Sequence, residues 1–276
     1  MVLVENDDLG AAKARLEGAQ GAVLDESVEE PVFDRPHPAQ TDETREEMAS
    51  LPPCPWGARD LAAGVLVAAL ALAAFVFFLW RDWVVGDLSP LALDLAWFGV
   101  LAVAVLGPIW FFTVHRKGSR EDVFLRAVSP VVVLFTVPGA FLFTVVDRIV
   151  WGLVSVLIEV PTSSAYWWGR EAPPEGLDVL GLALTTVILA PAIEEVLYRG
   201  ILLRYFGSFL RPSIAVSLTA LLFAILHLQP AGIPSRFVFG IAAATLVYAT
   251  RSLFPALAFH MTLNTMSLLA FTGVQS

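Results

Sequence analysis

Six polar residues that could form a reactive site interrupt otherwise apolar stretches of the chain: Glu194, Glu195, Arg199, His227, His260 and Asn264. Ionisable side chains in such surroundings are costly and usually face a protein interior or a cavity. Glu195 and Arg199 are four residues apart, so on a helix they share a face and can pair. His260 and Asn264 have the same spacing in HMTLN and are expected to project together.

The spacing of Glu194 and His227 predicts that the two side chains lie at the same depth. If their helices form a hairpin turning between Leu210 and Arg211, each residue is 16.5 positions from the turn. At a rise of about 1.5 Å per residue, both then sit at a similar height. We therefore expect Glu194 to activate a water as a general base, with His227 holding that water from the facing helix.

The remaining residues are of types that could support an attack of water on an amide. Glu195 is expected to stay ionised beside Arg199 and to anchor the site, because an opposite charge favours the charged form of a carboxyl group. His260 and Asn264 are expected to donate hydrogen bonds to the carbonyl oxygen as it becomes an oxyanion.

A metal site is the alternative arrangement of the same residues. Glu194, His227 and His260 supply one carboxylate and two imidazoles, a set that suits catalytic zinc with an open fourth position. The residues do not separate the two mechanisms, so the expected cofactor is either none or one divalent metal, zinc. The chain has no HExxH, no serine in a GxSxG setting, and a single cysteine, Cys54.

The composition indicates an integral membrane protein, because 57% of the residues are hydrophobic and the mean hydropathy is +0.72, against about 45–50% in an average soluble domain. We predict an all-α, polytopic transmembrane helix bundle of seven spans: 61–80, 91–114, 127–146, 177–209, 212–228, 237–250 and 251–271. Residues 149–160 follow Asp147 and Arg148 and either extend the third span, lie in the interface, or belong to an extra crossing. Eight spans are therefore the alternative.

Charge separates the chain into two parts. Residues 1–60 hold 5 basic and 14 acidic residues, which gives −9, and residues 61–276 hold 12 of each. We predict an acidic, mostly disordered N-terminal tail over 1–59 and a transmembrane domain over 60–276. The lack of a long basic patch argues against a nucleic-acid partner. The most basic loop, residues 115–126, is expected in the cytoplasm, which places the tail there too.

Three motifs in order resemble a known family. EEVLYR fits EExxxR, FAILH fits FxxxH and HMTLN fits HxxxN, each within a predicted span. Together they resemble the CPBP family, the Abi/Rce1-like intramembrane endopeptidases that include type II CAAX prenyl proteases, over a motif core of residues 177–270. The resemblance implies a helical membrane-embedded peptidase with Glu194 as base, completed by His227, His260 and Asn264. Accounts of the family differ on metal, and we favour the metal-free glutamate mechanism.

The sequence thus predicts an intramembrane endopeptidase that cleaves a membrane-embedded or lipid-anchored protein or peptide in the lipid bilayer. CAAX cleavage does not follow, because the family also has bacteriocin-immunity roles. The usage of 15 Arg and 2 Lys suggests a GC-rich bacterial genome, hence a bacterial cytoplasmic membrane. The alternatives are a non-catalytic immunity or scaffold protein of the same fold and, less favoured because no internal repeat is seen, a proton-coupled transporter. No oligomeric state or substrate is predicted.

Overall fold

The computed structural model describes residues 51–80, 89–157 and 176–273. Every regular element in these ranges is helical, so the predicted all-α helix bundle is confirmed. Residues 1–50, most of the predicted acidic tail, lie outside the described residues, and the tail's disorder stays a prediction.

Seven helices form the bundle within the described ranges. They are α1 (Ala58–Trp80), α2 (residues 90–115), α3 (Pro130–Leu157), α4 (residues 177–206), α5 (Pro212–Leu226), α6 (Ile233–Thr250) and α7 (Leu253–Gly273). Short 3-10 turns lie at Glu121–Val123 and at Pro230–Gly232, before α6.

Six of these helices are long and apolar enough to cross a membrane, and the chain is an integral membrane protein. The exception is α5, which is apolar but has only 15 residues, fewer than the about 20 of a perpendicular span. The seven predicted spans therefore correspond to six long helices and one short one. Residues 149–157 continue α3 past Asp147 and Arg148. Residues 158–160 lie outside the described residues, so the alternative of an eighth span stays a prediction.

Helices α2 and α4 each contain two wide π-helical turns, and the first turn of each lies just before a proline. Proline has no N–H to donate and disturbs the regular i to i−4 pattern. Immediately before Pro108, the N–H of Gly107 bonds to the carbonyl of Ala102, five residues back. Immediately before Pro191, the N–H of Ala190 bonds in the same way to Thr185. Each wide turn changes which residues of the following helix face the bundle.

The core lies between α4, α5, α6 and α7. Helix α5 runs along α6, and α3 runs along α7. Helices α5 and α6 approach closely at Gly240, where an added Cβ would stand only 2.8 Å from Ala220. The absence of a side chain at Gly240 therefore permits this packing. Buried aromatic rings fill the space between these helices, among them Phe223, Phe239 and Phe259. Two of these rings, Phe223 and Phe239, pack against the ring of His260 in the candidate site.

The residues just before α1 are packed against the bundle. Leu51 and Trp56 are buried. The guanidinium of Arg204, near the end of α4, donates to the carbonyl oxygens of Pro52 and, at 2.9 Å, of Pro53. The last part of the predicted tail is thus attached to the helix that carries the acidic motif.

Candidate active site

Glu195 and Arg199 form a buried ion pair in the second wide turn of α4, Glu195–Leu202. Oε1 of Glu195 lies 2.9 Å from an N–H nitrogen of Arg199, and both side chains are 1% exposed. The guanidinium carbon of Arg199 also lies 4.5 Å from the ring centre of Phe223 and 5.3 Å from that of Phe239. The ring faces add cation–π attraction, and the contact that the i, i+4 spacing predicts is present.

Glu195 also holds His260 on α7, a contact that the sequence analysis missed. Oε1 of Glu195 lies 2.8 Å from Nδ1 of His260. An ionised carboxylate only accepts hydrogen bonds, so Nδ1 carries the proton and donates it. This bond turns the other ring nitrogen, Nε2, towards Glu194, whose Oε2 is 3.6 Å away. The link spans 65 positions and has no local signal in the sequence.

The two adjacent acids are inequivalent, as the sequence analysis expects. The side chain of Glu194 is 27% exposed, whereas that of Glu195 is 1% exposed. Glu194 makes its acid–histidine contact with His260 and not with the expected His227, which nevertheless lines the same cavity. Glu194 is therefore the acid that solvent or a substrate can reach.

His227 lines the cavity, and one of its two ring nitrogens is already bonded to the backbone. Its Nδ1 lies 2.6 Å from the backbone oxygen of Phe223, one turn earlier. A carbonyl oxygen can only accept, so Nδ1 is protonated and the Nε2 of a neutral ring is left as an acceptor. The ring of Phe223 meets His227 edge-on at 4.6 Å and also contacts Arg199. The aromatic residue of FxxxH thereby supports both parts of the site.

Asn264 joins α7 to α4. Its Nδ2 donates to the backbone oxygen of Thr186 at 2.8 Å. An amide nitrogen has two N–H groups, so this bond leaves one donor for another partner. The side chain is half-buried and lines the cavity beside His260.

The cavity has a volume of about 780 Å³ and lies at the end of the bundle where α4 and α6 begin and α7 ends. Four of the six predicted site residues line it, whereas two lie behind its wall, Glu195 and Arg199. Several other polar residues, which belong to none of the three motifs, also line this wall: Asp94, Asp147, Arg148, Gln229, Ser235 and Arg236.

Two hydrogen bonds are formed among these additional polar residues, one between helices and one from α6 to the turn before it. The hydroxyl of Ser235 on α6 donates to Asp147 on α3 at 2.6 Å, and the guanidinium of Arg236 donates to Gln229. Asp147 interrupts an apolar span, which is the sequence signal that could have identified it. Arg236 follows the Pro/Gly turn before α6, and its position gave no such signal.

The predicted metal ligands do not form a complete set. Catalytic zinc has three protein ligands around one point. Glu194 and His260 are a close donor pair, but among the described residues no group of three His, Cys, Asp or Glu side chains is placed to hold a metal ion. The side chains of Glu194, His227 and His260 as they stand do not fit a metal, and we derive no step through one.

The fold and the site define a polytopic membrane protein with an acid–histidine pair in a cavity inside the bundle. Residues 176–266 match the family model "Type II CAAX prenyl endopeptidase Rce1-like". This segment, about a third of the chain, is an Rce1-like domain, and the resemblance to the CPBP family is confirmed. It contains all three motifs. No curated protein matches the chain, and no solved structure does.

Proposed function

We propose that the protein is an intramembrane endopeptidase that hydrolyses a peptide bond in a membrane-bound or lipid-anchored protein, using water activated by Glu194. One observation carries the proposal, a connected line of four side chains that ends in the cavity: Arg199, Glu195, His260 and Glu194. Successive members are 2.9, 2.8 and 3.6 Å apart. The Rce1-like domain supports the same class of protease.

Glu194 acts as the general base in the first step. Its carboxylate takes a proton from water while the water oxygen forms a bond to the carbonyl carbon of the substrate. The Nε2 of His227 accepts the second hydrogen bond of that water, because its Nδ1–H is committed to Phe223. General-base assistance of this kind contributes about 10²- to 10⁴-fold.

Donors beside the cavity then stabilise the oxyanion. Asn264 has an N–H left after bonding Thr186, and His260 in its protonated form donates through Nε2. When the C–N bond breaks, the proton held by Glu194 passes to the leaving amine. The step is balanced, since water supplies OH to the new acid and H to the new amine.

Glu195 and Arg199 act without touching the reacting atoms. Glu195 fixes the orientation of the His260 ring through its Nδ1–H, in the way that carboxylates orient catalytic histidines and stabilise their imidazolium form. Arg199 balances the negative charge of Glu195, which would otherwise be uncompensated in a buried position. The pair is therefore a support for the histidine and not a second base.

The walls of the cavity favour a substrate segment with apolar side chains. Aromatic rings from α2, α3 and α7 line it, among them Trp97, Phe143 and Phe271. Its volume lies within the range of about 300–1,000 Å³ for ligand pockets. The name of the matching family refers to prenylated CAAX proteins. For this chain we propose the broader class of membrane-bound or lipid-anchored proteins.

A comparison of protein N-termini in membranes, made between the wild type and two variants, tests the proposal. Membranes of cells producing the wild type, Glu194→Gln or Glu121→Gln at equal levels are analysed for new protein N-termini. Glu121 is an exposed acid outside the cavity and serves as the matched control. We expect termini that appear with the wild type and with Glu121→Gln but not with Glu194→Gln. Identical termini in all three would contradict the proposal and favour a non-catalytic immunity or scaffold protein.

A further inference from the structure

The carbonyl oxygen of Thr186 is left without a backbone donor inside its own helix. In a regular α-helix its partner would be the N–H of Ala190, but that N–H bonds to Thr185 instead. In the wider turn its partner would be the N–H of residue 191. Residue 191 is a proline, which has none. A buried or half-buried carbonyl in this position needs another donor.

Asn264 supplies that donor from the neighbouring helix. Its Nδ2 lies 2.8 Å from the Thr186 oxygen. Because the acceptor is a carbonyl, the NH₂ group of the amide must face α4, which fixes which end of the side chain is nitrogen. The Thr186 carbonyl in the wide turn before Pro191 and the amide of Asn264 therefore form one hydrogen bond between α4 and α7.

The hydrogen bond to Thr186 determines whether Asn264 presents a donor or an acceptor to the cavity. A planar amide held by one N–H has its second N–H in a fixed direction. Without the Thr186 carbonyl, the side chain could rotate and present its oxygen, an acceptor, to the same place. Asn264 lies one helical turn from His260 on the same helix. The direction of its free N–H is therefore fixed relative to His260 and Glu194.

We propose that Pro191 and Thr186 are positioning residues of the site: Pro191 keeps the Thr186 carbonyl open, and this carbonyl orients Asn264 as a hydrogen-bond donor towards the substrate oxygen. The inference rests on the proposed peptidase function for its catalytic part. Its structural part, that Pro191 acts through Asn264, stands on the contact between α4 and α7 alone.

A thermal-stability cycle tests the structural part. The wild type, Pro191→Ala, Asn264→Ala and the double variant are melted under identical conditions in the full chain. An alanine at position 191 restores an N–H five residues after Thr186, so the backbone can satisfy this carbonyl itself. We expect Asn264→Ala to lower Tm clearly when Pro191 is present and little when it is combined with Pro191→Ala.

The control for this cycle is Thr265→Ala on the same helix. The Thr265 hydroxyl bonds within α7 to Met261 at 2.7 Å, so its substitution should shift Tm equally with and without Pro191→Ala. An equal drop for Asn264→Ala in both backgrounds would overturn the proposal, because the amide would then be independent of Pro191.

The same variants test the catalytic part through kcat and KM. We expect Pro191→Ala to lower kcat about tenfold or more with little change in KM, because a misdirected donor is lost only in the transition state. Pro191→Ala should have no further effect once Asn264 is replaced by alanine. Pro138→Ala, at a proline inside α3 and away from the wall of the cavity, should leave kcat unchanged.

Two kinetic results would contradict the catalytic part. One is a wild-type kcat in Pro191→Ala, and the other is an equal loss of kcat on Pro191→Ala with and without the Asn264→Ala substitution. An inactive wild type would instead refute the proposed function, and with it the catalytic part. The melting cycle would then still decide whether Pro191 acts on Asn264.

Discussion

Nδ1 of His260 lies 2.8 Å from Oε1 of Glu195, although 65 positions separate the two residues. The same carboxylate oxygen receives Arg199 at 2.9 Å, so Glu195 joins α4 to α7 and at the same time carries the charge that Arg199 balances. One buried acid thereby fixes the histidine that faces the more exposed acid, Glu194.

This relationship predicts that Glu195 is needed for stability as well as activity. Glu195→Ala leaves the buried guanidinium of Arg199 without its counter-charge, so we expect a loss of about 3 kcal/mol or more. Thermal or denaturant unfolding of the purified protein measures it. The double variant Glu195→Leu with Arg199→Leu removes both charges and should be less destabilised. A double variant less stable than Glu195→Ala would argue against this assignment.

His227 should affect the rate and leave stability almost unchanged. It is only half-buried and lines the cavity, and its Nδ1 bonds to Phe223. We expect His227→Ala to lower kcat by about 10²-fold or more, because the water loses a hydrogen-bond acceptor. His115→Ala, at an exposed histidine at the end of α2, is the control and should retain the wild-type rate. Equal rates for the two variants would exclude a role for His227.

Arg204 should hold the segment before α1 against α4. Its guanidinium donates to the carbonyl oxygens of Pro52 and Pro53 and is 3% exposed. Hydrogen bonds to charged groups contribute about 1.5–3 kcal/mol each, so Arg204→Ala should destabilise this attachment measurably. Limited proteolysis near residue 55 should become faster than in Arg120→Ala, a variant of an exposed arginine. Unchanged proteolysis would show that the attachment does not depend on Arg204.

The thiol of Cys54 reports on the same segment. Burial raises the pKa of Cys54, and a backbone hydrogen bond at Trp56 and the charge of Arg204 offset this only in part. Since the thiolate is the reactive form, alkylation should be slower in the folded protein than in the unfolded one near pH 8. The difference should shrink as the pH rises past the raised pKa. Equal labelling rates near pH 8 would contradict this burial.

Metal analysis of the purified protein separates the two mechanisms that the sequence leaves open. The described residues bring together the two donors Glu194 and His260 but no third ligand. We therefore expect no stoichiometric zinc and no loss of activity with a chelator. Stoichiometric zinc whose removal abolishes cleavage, and whose return restores it, would establish the metal mechanism.

Local spacing was enough to predict much of the fold and part of the site. Hydropathy located the helices, since runs of apolar residues of membrane length leave few alternatives. The i, i+4 rule predicted the contact of Glu195 with Arg199, which depends only on helix geometry. The inequivalence of Glu194 and Glu195 followed from the same geometry, because adjacent residues on a helix point about 100° apart.

Contacts between distant helices were not predictable in this way. The hairpin count matched the depths of Glu194 and His227, but depth does not determine the rotation of each helix about its axis. Rotation depends on the wide turns before and after Glu194, of which the first lies just before Pro191. The contact of Glu194 with His260, and that of Asn264 with Thr186, therefore emerge only from the three-dimensional structure.

The most direct test of the central claim is the cleavage rate of purified protein in lipid vesicles, measured for the wild type and Glu194→Gln on a substrate found by the N-terminal analysis. Glutamine keeps the size of the side chain and removes its ability to take a proton. We predict equal folding, judged by Tm, and a rate at least about 10²-fold lower for the variant. A correctly folded Glu194→Gln protein that cleaves as fast as the wild type would contradict the role of Glu194 as the base.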